Sequence, residues 1–123
     1  MSKEGKDLGK RGEDAAVDFL INKNYTIIER NYNYGNMGEI DIIVKDIENE
    51  VLVFVEVKTR ENLYFGEPEY GITEGKIKQV KRMAEIYLYQ KDIEEMECRF
   101  DVIAIVMPEG QEPEIKHYVD AFR

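Results

Sequence analysis

Hydrophobic and polar residues alternate along two neighbouring stretches of the chain, residues 39–45 and residues 50–58. A period of two is typical of β-strands, and the short polar segment between the stretches predicts a hairpin. Apolar residues recur instead at helical spacing over residues 6–22 and again from Thr73, the predicted N-cap, to about Gln90. Further strands are predicted at residues 25–32, 99–107 and 114–122.

The order of these elements is helix, three strands, helix, two strands. It predicts an α/β fold with a central mixed β-sheet flanked by helices. With 123 residues and 43% hydrophobic content, the chain is the size of one domain that can bury a core. We therefore predict a single domain over residues 1–123.

No segment of the sequence has the features of a membrane or secretion signal. The longest apolar run, residues 102–107, is far shorter than the ~20 residues that cross a bilayer. The first ten residues lack an apolar stretch, and Cys98 is the single cysteine. These features predict a soluble, cytoplasmic protein without a membrane partner.

The predicted hairpin brings charged residues to one face of the sheet. If the turn consists of residues 48–49, opposing residues have numbers that sum to 97, which places Asp41 across from Glu56 and Glu39 across from Lys58. The opposite face is predicted to be apolar and to consist of Ile40, Ile42, Val44, Val53, Val55 and Val57.

The facing pair of Asp41 and Glu56 allows two interpretations. Like charges directly opposed on a sheet are destabilising, and a hard cation such as Mg²⁺ would resolve the conflict by binding both carboxylates. Lys58 would then lie beside the metal, where a cation can orient a water molecule or stabilise phosphate charge. In the alternative, the face is solvated, Lys58 pairs with Glu39, and Asp41 is in water.

Three segments, "GKRGEDAAVDFL", "GEIDIIVKD" and "FVEVKTR", together resemble the YraN-like family of uncharacterised bacterial proteins. The resemblance covers nearly the whole chain. It implies a restriction-endonuclease-like fold of the PD-(D/E)xK type, related to Holliday-junction resolvases. The activity that it implies is metal-dependent endonucleolytic hydrolysis of DNA, including branched or otherwise structured DNA.

The resemblance also assigns roles to single residues. It implies that Asp41 and Glu56 bind Mg²⁺ or Mn²⁺, that Lys58 is the catalytic lysine, and that Glu13 helps to complete the metal site. Glu39 would support the site. Without the resemblance, Glu13 would be interpreted as an acid favoured by the dipole of an exposed helix start.

The net charge of −9 argues against non-specific attraction to nucleic acid. Basic residues nevertheless cluster in and after the hairpin, and those predicted to contact nucleic acid are Arg60, Lys76, Lys78, Lys81 and Arg82. A charged helix face can also be merely solvated. The alternatives to a nuclease are a non-catalytic nucleic-acid-binding module with the same fold and an interaction protein with carboxylates on its surface. Whether two copies form a homodimer is left open.

Other residues carry weaker signals. The aromatic residues Tyr64, Phe65 and Tyr70 either stack on bases or anchor their loop to the core. Asp101 is expected to pair with a basic residue. We expect structural roles for His117 and Cys98, because neither has a partner at metal-ligand spacing.

Overall fold

Helices and strands follow one another in the predicted order. The computed structural model describes residues 3–123, and no helix within this range is long and apolar enough to cross a membrane. The helices are α1 (Lys3–Asn22) and α2 (Glu74–Gln90). The strands are β1 (Tyr25–Asn33), β2 (Glu39–Asp46), β3 (Val51–Arg60), β4 (Cys98–Val106) and β5 (Glu114–Phe122). A short 3-10 helix, Pro68–Gly71, precedes α2.

The strands form one mixed sheet in the order β1-β2-β3-β4-β5. The first three strands form an antiparallel meander, β4 is parallel to β3, and β5 is antiparallel to β4. A parallel pair requires a long crossover connection, which α2 provides here. The prediction of an α/β fold with a central mixed sheet and flanking helices is confirmed.

Both faces of the sheet are buried along its central strands β2, β3 and β4. On one face, Val53 and Val55 of β3 pack with Leu20 of α1. On the other, Leu52 and Phe54 pack against α2. Because alternate residues of β3 belong to different clusters, each helix covers its own face of the sheet.

The prediction that Ile40 lies on the face of Ile42 is wrong. Ile40 packs with Ile43 and Phe54 in the α2 cluster, whereas Ile42 packs in the α1 cluster. In a regular strand Ile40 and Ile42 would lie on the same face, but here they lie on opposite faces. The alternation of β2 is therefore interrupted at Asp41, which lies between them. The face predicted to be polar is also a core face, because α2 covers it.

The predicted pairing register is confirmed over most of the hairpin. Cα partners run from Ile42 and Val55 to Asp46 and Val51, and their numbers sum to 97. The turn comprises residues 47–50 rather than 48–49 alone. The side chain of Asp46 stabilises this longer turn by accepting hydrogen bonds from the amide and the side chain of Asn49, at 3.4 and 2.8 Å.

The start of α2 is also as predicted. Thr73 is the N-cap, and its hydroxyl accepts a hydrogen bond of 3.1 Å from the backbone amide of Lys76. Such a cap fixes the first turn of a helix. The buried residues of the helix are Val80, Met83, Ala84 and Tyr87.

Candidate functional site

Asp41 lies where β2 stops pairing with β3. The last main-chain pair is Ile42 with Val55, so the expected direct pairs of Asp41 with Glu56 and of Glu39 with Lys58 do not form. The physical reason is local: Asp41 Oδ2 accepts a hydrogen bond of 2.8 Å from the amide of Val57. A side-chain carboxylate therefore takes the place of a main-chain partner.

Glu56 is buried beside Asp41, with only 4% of its surface exposed. Its Oε1 has no hydrogen-bond partner among the described residues, and its Oε2 lies 3.7 Å from Nζ of Lys76. Burying an unpaired carboxylate oxygen is costly. This burial contradicts the alternative of a solvated hairpin face.

We call Asp41 and Glu56 together the paired-acid site. Burial raises the pKa of Glu56 from 4.5 to about 8 and that of Asp41 from 3.8 to about 6. These values include the effects of neighbouring charges: Asp41 raises the pKa of Glu56, Glu39 raises the pKa of both acids, and the ammonium group of Lys76 lowers the pKa of both. At neutral pH the pair therefore retains roughly one proton when no other cation compensates its charge.

Asp41 and Lys58 line a hollow of about 230 Å³ at the α1 face of the sheet. Water occupies about 30 Å³ per molecule in the liquid, so the hollow has room for an ion with several waters or for a phosphate group. Lys58 extends over Gly71, where an added Cβ would lie 2.6 Å from Lys58 Cε. Glu56 is not part of the lining of this hollow among the described residues.

Glu13 also lines the hollow, as its predicted role requires. Close contact between α1 and β3 places it there: a Cβ added at Gly12 would lie 2.8 Å from Cβ of Thr59. The charge of Glu13 raises the pKa of Asp41, and its own carboxylate forms an ion pair of 3.3 Å with Arg30. Glu13 is therefore close enough to act on Asp41 but already has a cationic partner.

No group of three His, Cys, Asp or Glu side chains in residues 7–123, whose side chains the structure describes, is arranged to hold a metal ion. Three protein ligands are not required for Mg²⁺. In many enzymes one or two carboxylates hold this ion, and water and substrate oxygens supply its other ligands. The structure thus brings Asp41 and Glu56 together, with Glu13 and Lys58 at the adjoining hollow.

The residues predicted to contact nucleic acid occupy different positions. Lys78 and Arg82 are exposed on α2, and Lys81 donates a hydrogen bond to the backbone carbonyl oxygen of Arg123. Arg60 is half-buried, and its Nε has no partner in the described part of the chain. These four residues provide positive charge outside the paired-acid site.

Lys76 is different, because its side chain extends to the paired-acid site and does not lie on the outer face of α2. A sequence signal for this position exists: Lys76 precedes the buried residues Val80, Met83 and Tyr87 by four, seven and eleven positions. These spacings lie on one helical stripe. A lysine at the head of an apolar stripe therefore indicates that its charged end reaches a buried group.

A second buried carboxylate, Asp101, lies elsewhere in the sheet and is fully paired. Arg99 donates to its two oxygens at 2.9 and 3.1 Å, His117 Nε2 lies at 2.7 Å, and the amide of Asp120 donates at 2.9 Å. Burial alone would raise the pKa of Asp101, but hydrogen bonds from His117, Arg99 and the Asp120 amide outweigh it and lower the pKa. We call Arg99, Asp101 and His117 the Asp101 network. The expected pairing of Asp101 with a basic residue is confirmed.

The aromatic residues after β3 do not anchor their loop to the core. Tyr64, Phe65 and Tyr70 are 85%, 81% and 81% exposed. Tyr64 and Phe65 contact each other edge to face, with ring centroids 5.3 Å apart. The anchoring interpretation is therefore wrong for these three side chains, and base stacking stays a prediction.

This chain is similar to known proteins over almost its whole length. The chain is 46% identical over 119 residues to a UPF0102 protein of Geotalea daltonii, covering 97% of this chain and 91% of that protein. It is 44% identical to a UPF0102 protein of Prosthecochloris aestuarii, covering 99% and 98% of the two chains. For a UPF0102 protein of Dictyoglomus turgidum, the values are 41% identity, 95% and 98%.

The model of one uncharacterised family matches residues 12–105, a range that includes the end of α1, the hairpin, α2 and most of β4. Glu13, Asp41, Glu56 and Lys58 all lie within it. The chain belongs to the uncharacterised protein family UPF0102, the YraN-like proteins.

Proposed function

We propose that this protein is a metal-dependent endonuclease that hydrolyses phosphodiester bonds in DNA, including branched or structured DNA. The observation that carries the proposal is the paired-acid site. Half-buried Asp41 lies beside buried Glu56, both acids have raised pKa values, and Glu56 Oε1 has no partner in the described chain. Two such acids favour an added cation, because it compensates charge that the protein leaves uncompensated.

The donor set fits Mg²⁺ or Mn²⁺, which prefer carboxylate oxygens. Asp41 and Glu56 would hold the ion, with Glu13 assisting through a water and Glu39 adding negative charge. When bound, such an ion acts as a Lewis acid on a phosphoryl oxygen and lowers the pKa of a coordinated water. Glu13 contributes least directly, since Arg30 already pairs with it.

The protein's own side chains have separate tasks in this reaction. Hydrolysis adds water to phosphorus and breaks the bond to the leaving nucleoside oxygen, while negative charge accumulates on the phosphoryl oxygens. Lys58 at the adjoining hollow orients the attacking water or stabilises this charge. The Val57 amide fixes the position of the Asp41 carboxylate, so that the acid does not rotate towards solvent.

The fold supports the proposal. A helix, a three-stranded meander, a crossover helix and a parallel fourth strand occur in the order that the resemblance to PD-(D/E)xK nucleases implies. The two acids come from the neighbouring strands β2 and β3, as in that motif. DNA contacts are assigned to Arg60, Lys78, Lys81 and Arg82, because a net charge of −9 restricts phosphate binding to local basic surfaces.

The experiment is a cleavage assay with purified protein, Mg²⁺ or Mn²⁺, and three labelled DNAs: linear duplex, single strand and four-way junction. We expect cleavage of at least one DNA. Replacing Lys58 by Met should lower the rate about a hundredfold or more, as for removal of one group that stabilises transition-state charge. Lys45→Met on β2 is the matched control and should leave the rate unchanged.

The negative outcomes are informative. Binding of one of the DNAs without cleavage, at high protein concentration and with Mn²⁺ present, would identify a non-catalytic nucleic-acid-binding module. If the protein binds none of the three DNAs and also does not bind Mn²⁺, the result would favour an interaction protein.

A further inference from the structure

The side chain of Lys76 extends from α2 to the paired-acid site. Its Nζ lies 3.7 Å from Glu56 Oε2 and donates a hydrogen bond of 3.2 Å to Gln79 Oε1. Its positive charge also acts on Asp41. Lys76 therefore interacts with both acids and replaces part of the charge that a metal ion would supply.

The local structure holds Lys76 in this position. Its backbone amide donates to the Thr73 cap, which fixes the first turn of α2. Gln79 passes close to Gly38, where an added Cβ would lie 2.6 Å from Gln79 Cγ, and Gly38 has a φ of +138°. Because Gly38 has no side chain and can adopt this conformation, the Gln79 side chain has room to pack against it. Gln79 in turn orients the Lys76 ammonium group.

The same side chain retains a route to solvent. Lys76 is 34% exposed, whereas Glu56 is 5% exposed at its side chain. A lysine stem has several rotatable bonds and three donors, so its ammonium group can leave one acceptor without a change in the helix. The fixed partner of this ion pair is the buried acid, and the movable partner is the lysine.

We propose that Lys76 is the internal counter-ion of the paired-acid site and that a divalent cation displaces it. This inference rests on the proposed metal centre. Because an ammonium group and a metal ion repel each other at such short distances, binding of one opposes binding of the other. Lys76 thus stabilises the protein without metal and weakens metal binding, and its displaced ammonium group becomes available to an anionic group such as a substrate phosphate.

The test compares Lys76→Gln with Lys78→Gln, a matched control on the exposed face of the same helix. Calorimetric titration with Mn²⁺ alone gives the apparent dissociation constant, and urea unfolding without metal gives the stability. We expect Lys76→Gln to bind Mn²⁺ about tenfold more tightly and to unfold at lower urea concentration. Lys78→Gln should change neither value.

A third variant, Lys76→Arg, separates charge from packing. It retains the positive charge, and its Mn²⁺ affinity should stay within about threefold of the wild-type value. Unchanged or weaker Mn²⁺ binding by Lys76→Gln would overturn the inference but leave the proposed function intact. Failure of the wild-type protein to bind Mn²⁺ would instead remove the metal centre on which both depend.

Discussion

Asp101 and the paired-acid site are both shielded from solvent within the sheet, but they differ in how their negative charge is compensated. Asp101 has hydrogen-bond donors from Arg99, His117 and a backbone amide, and its pKa is lowered. Asp41 and Glu56 share the single positive charge of Lys76, which lies 3.7 Å from Glu56 Oε2, and their pKa values are raised. Burial acts on all three acids in the same direction, so the difference comes from the partners.

This comparison shows why burial alone does not identify a functional acid. A buried carboxylate with all its partners stabilises a fold, and removing one partner is destabilising. A buried pair without enough partners reduces stability unless a ligand supplies the missing charge. The paired-acid site is the second kind, which is the physical reason for assigning it a ligand.

Replacing Asp101 by Asn should produce the largest loss of stability. The substitution removes the negative charge that Arg99 and His117 share and replaces one of the two acceptor oxygens by an amide NH2 group, which faces a donor instead of accepting from it. We expect the free energy of unfolding, measured in urea at pH 7, to fall by about 3–5 kcal/mol. Asp120→Asn, at an exposed neighbour, should change it by less than about 0.5 kcal/mol. A loss of similar size in both variants would contradict the assigned role of the Asp101 network.

The pH dependence of stability should reveal the paired-acid site. Folded Glu56 keeps its proton up to a pKa of about 8, whereas the unfolded chain loses it near the ordinary value of 4.5. The folded state then binds more protons than the unfolded state between these values, so stability falls as the pH rises through this window. In the metal-free protein we expect Glu56 to contribute a loss of roughly 1–3 kcal/mol between pH 5 and pH 9.

Two controls sharpen this measurement. Glu56→Gln cannot ionise, so the decrease assigned to Glu56 should be absent from its profile. Asp101 changes the stability with pH in the opposite direction. Its pKa is lowered in the folded protein, so its contribution to the free energy of unfolding is present at neutral pH and is lost as the pH falls below the ordinary pKa of an aspartate. An unchanged profile for Glu56→Gln would show that Glu56 titrates normally in the folded protein.

Replacing Asp41 by Asn should give the smallest change in stability. Its amide oxygen can still accept the hydrogen bond of the Val57 amide, while the repulsion with Glu56 disappears. The metal-free variant should be as stable as the wild type or more stable by about 1 kcal/mol. Titration calorimetry should show no Mn²⁺ binding. A marked loss of stability would instead indicate a structural role for Asp41.

The sequence pattern predicts the elements of the fold well because burial imposes a period on each of them. The strand period of two places Glu56 on the same face as Phe54, and the hairpin register follows from the same alternation. The pattern does not predict the position of Ile40. At Asp41 a side chain replaces a main-chain partner, and a local hydrogen bond of this kind leaves no periodic signal.

Candidate site residues were predictable to different degrees. Asp41 and Glu56 lie on neighbouring strands, one position beyond the last pair of the predicted register, so the sequence predicts that they are neighbours but not that their direct pairing is lost. The contact of Lys76 with Glu56 depends on how α2 packs on the sheet, and the ion pair of Glu13 with Arg30 depends on α1 and β1. These contacts join residues distant in the chain, and their distances follow from packing.

The order of helices and strands, the hairpin register and the positions of Asp41 and Glu56 on adjacent strands follow from the sequence pattern, because these properties depend on local periodicity. Packing of α2 on the sheet covers the face of Glu56, leaves Glu56 Oε1 buried without a partner in the described part of the chain, and brings Lys76 to Glu56. Desolvation and charge compensation depend on groups brought together from distant parts of the chain. The chemical character of the paired-acid site is therefore a property of the folded protein.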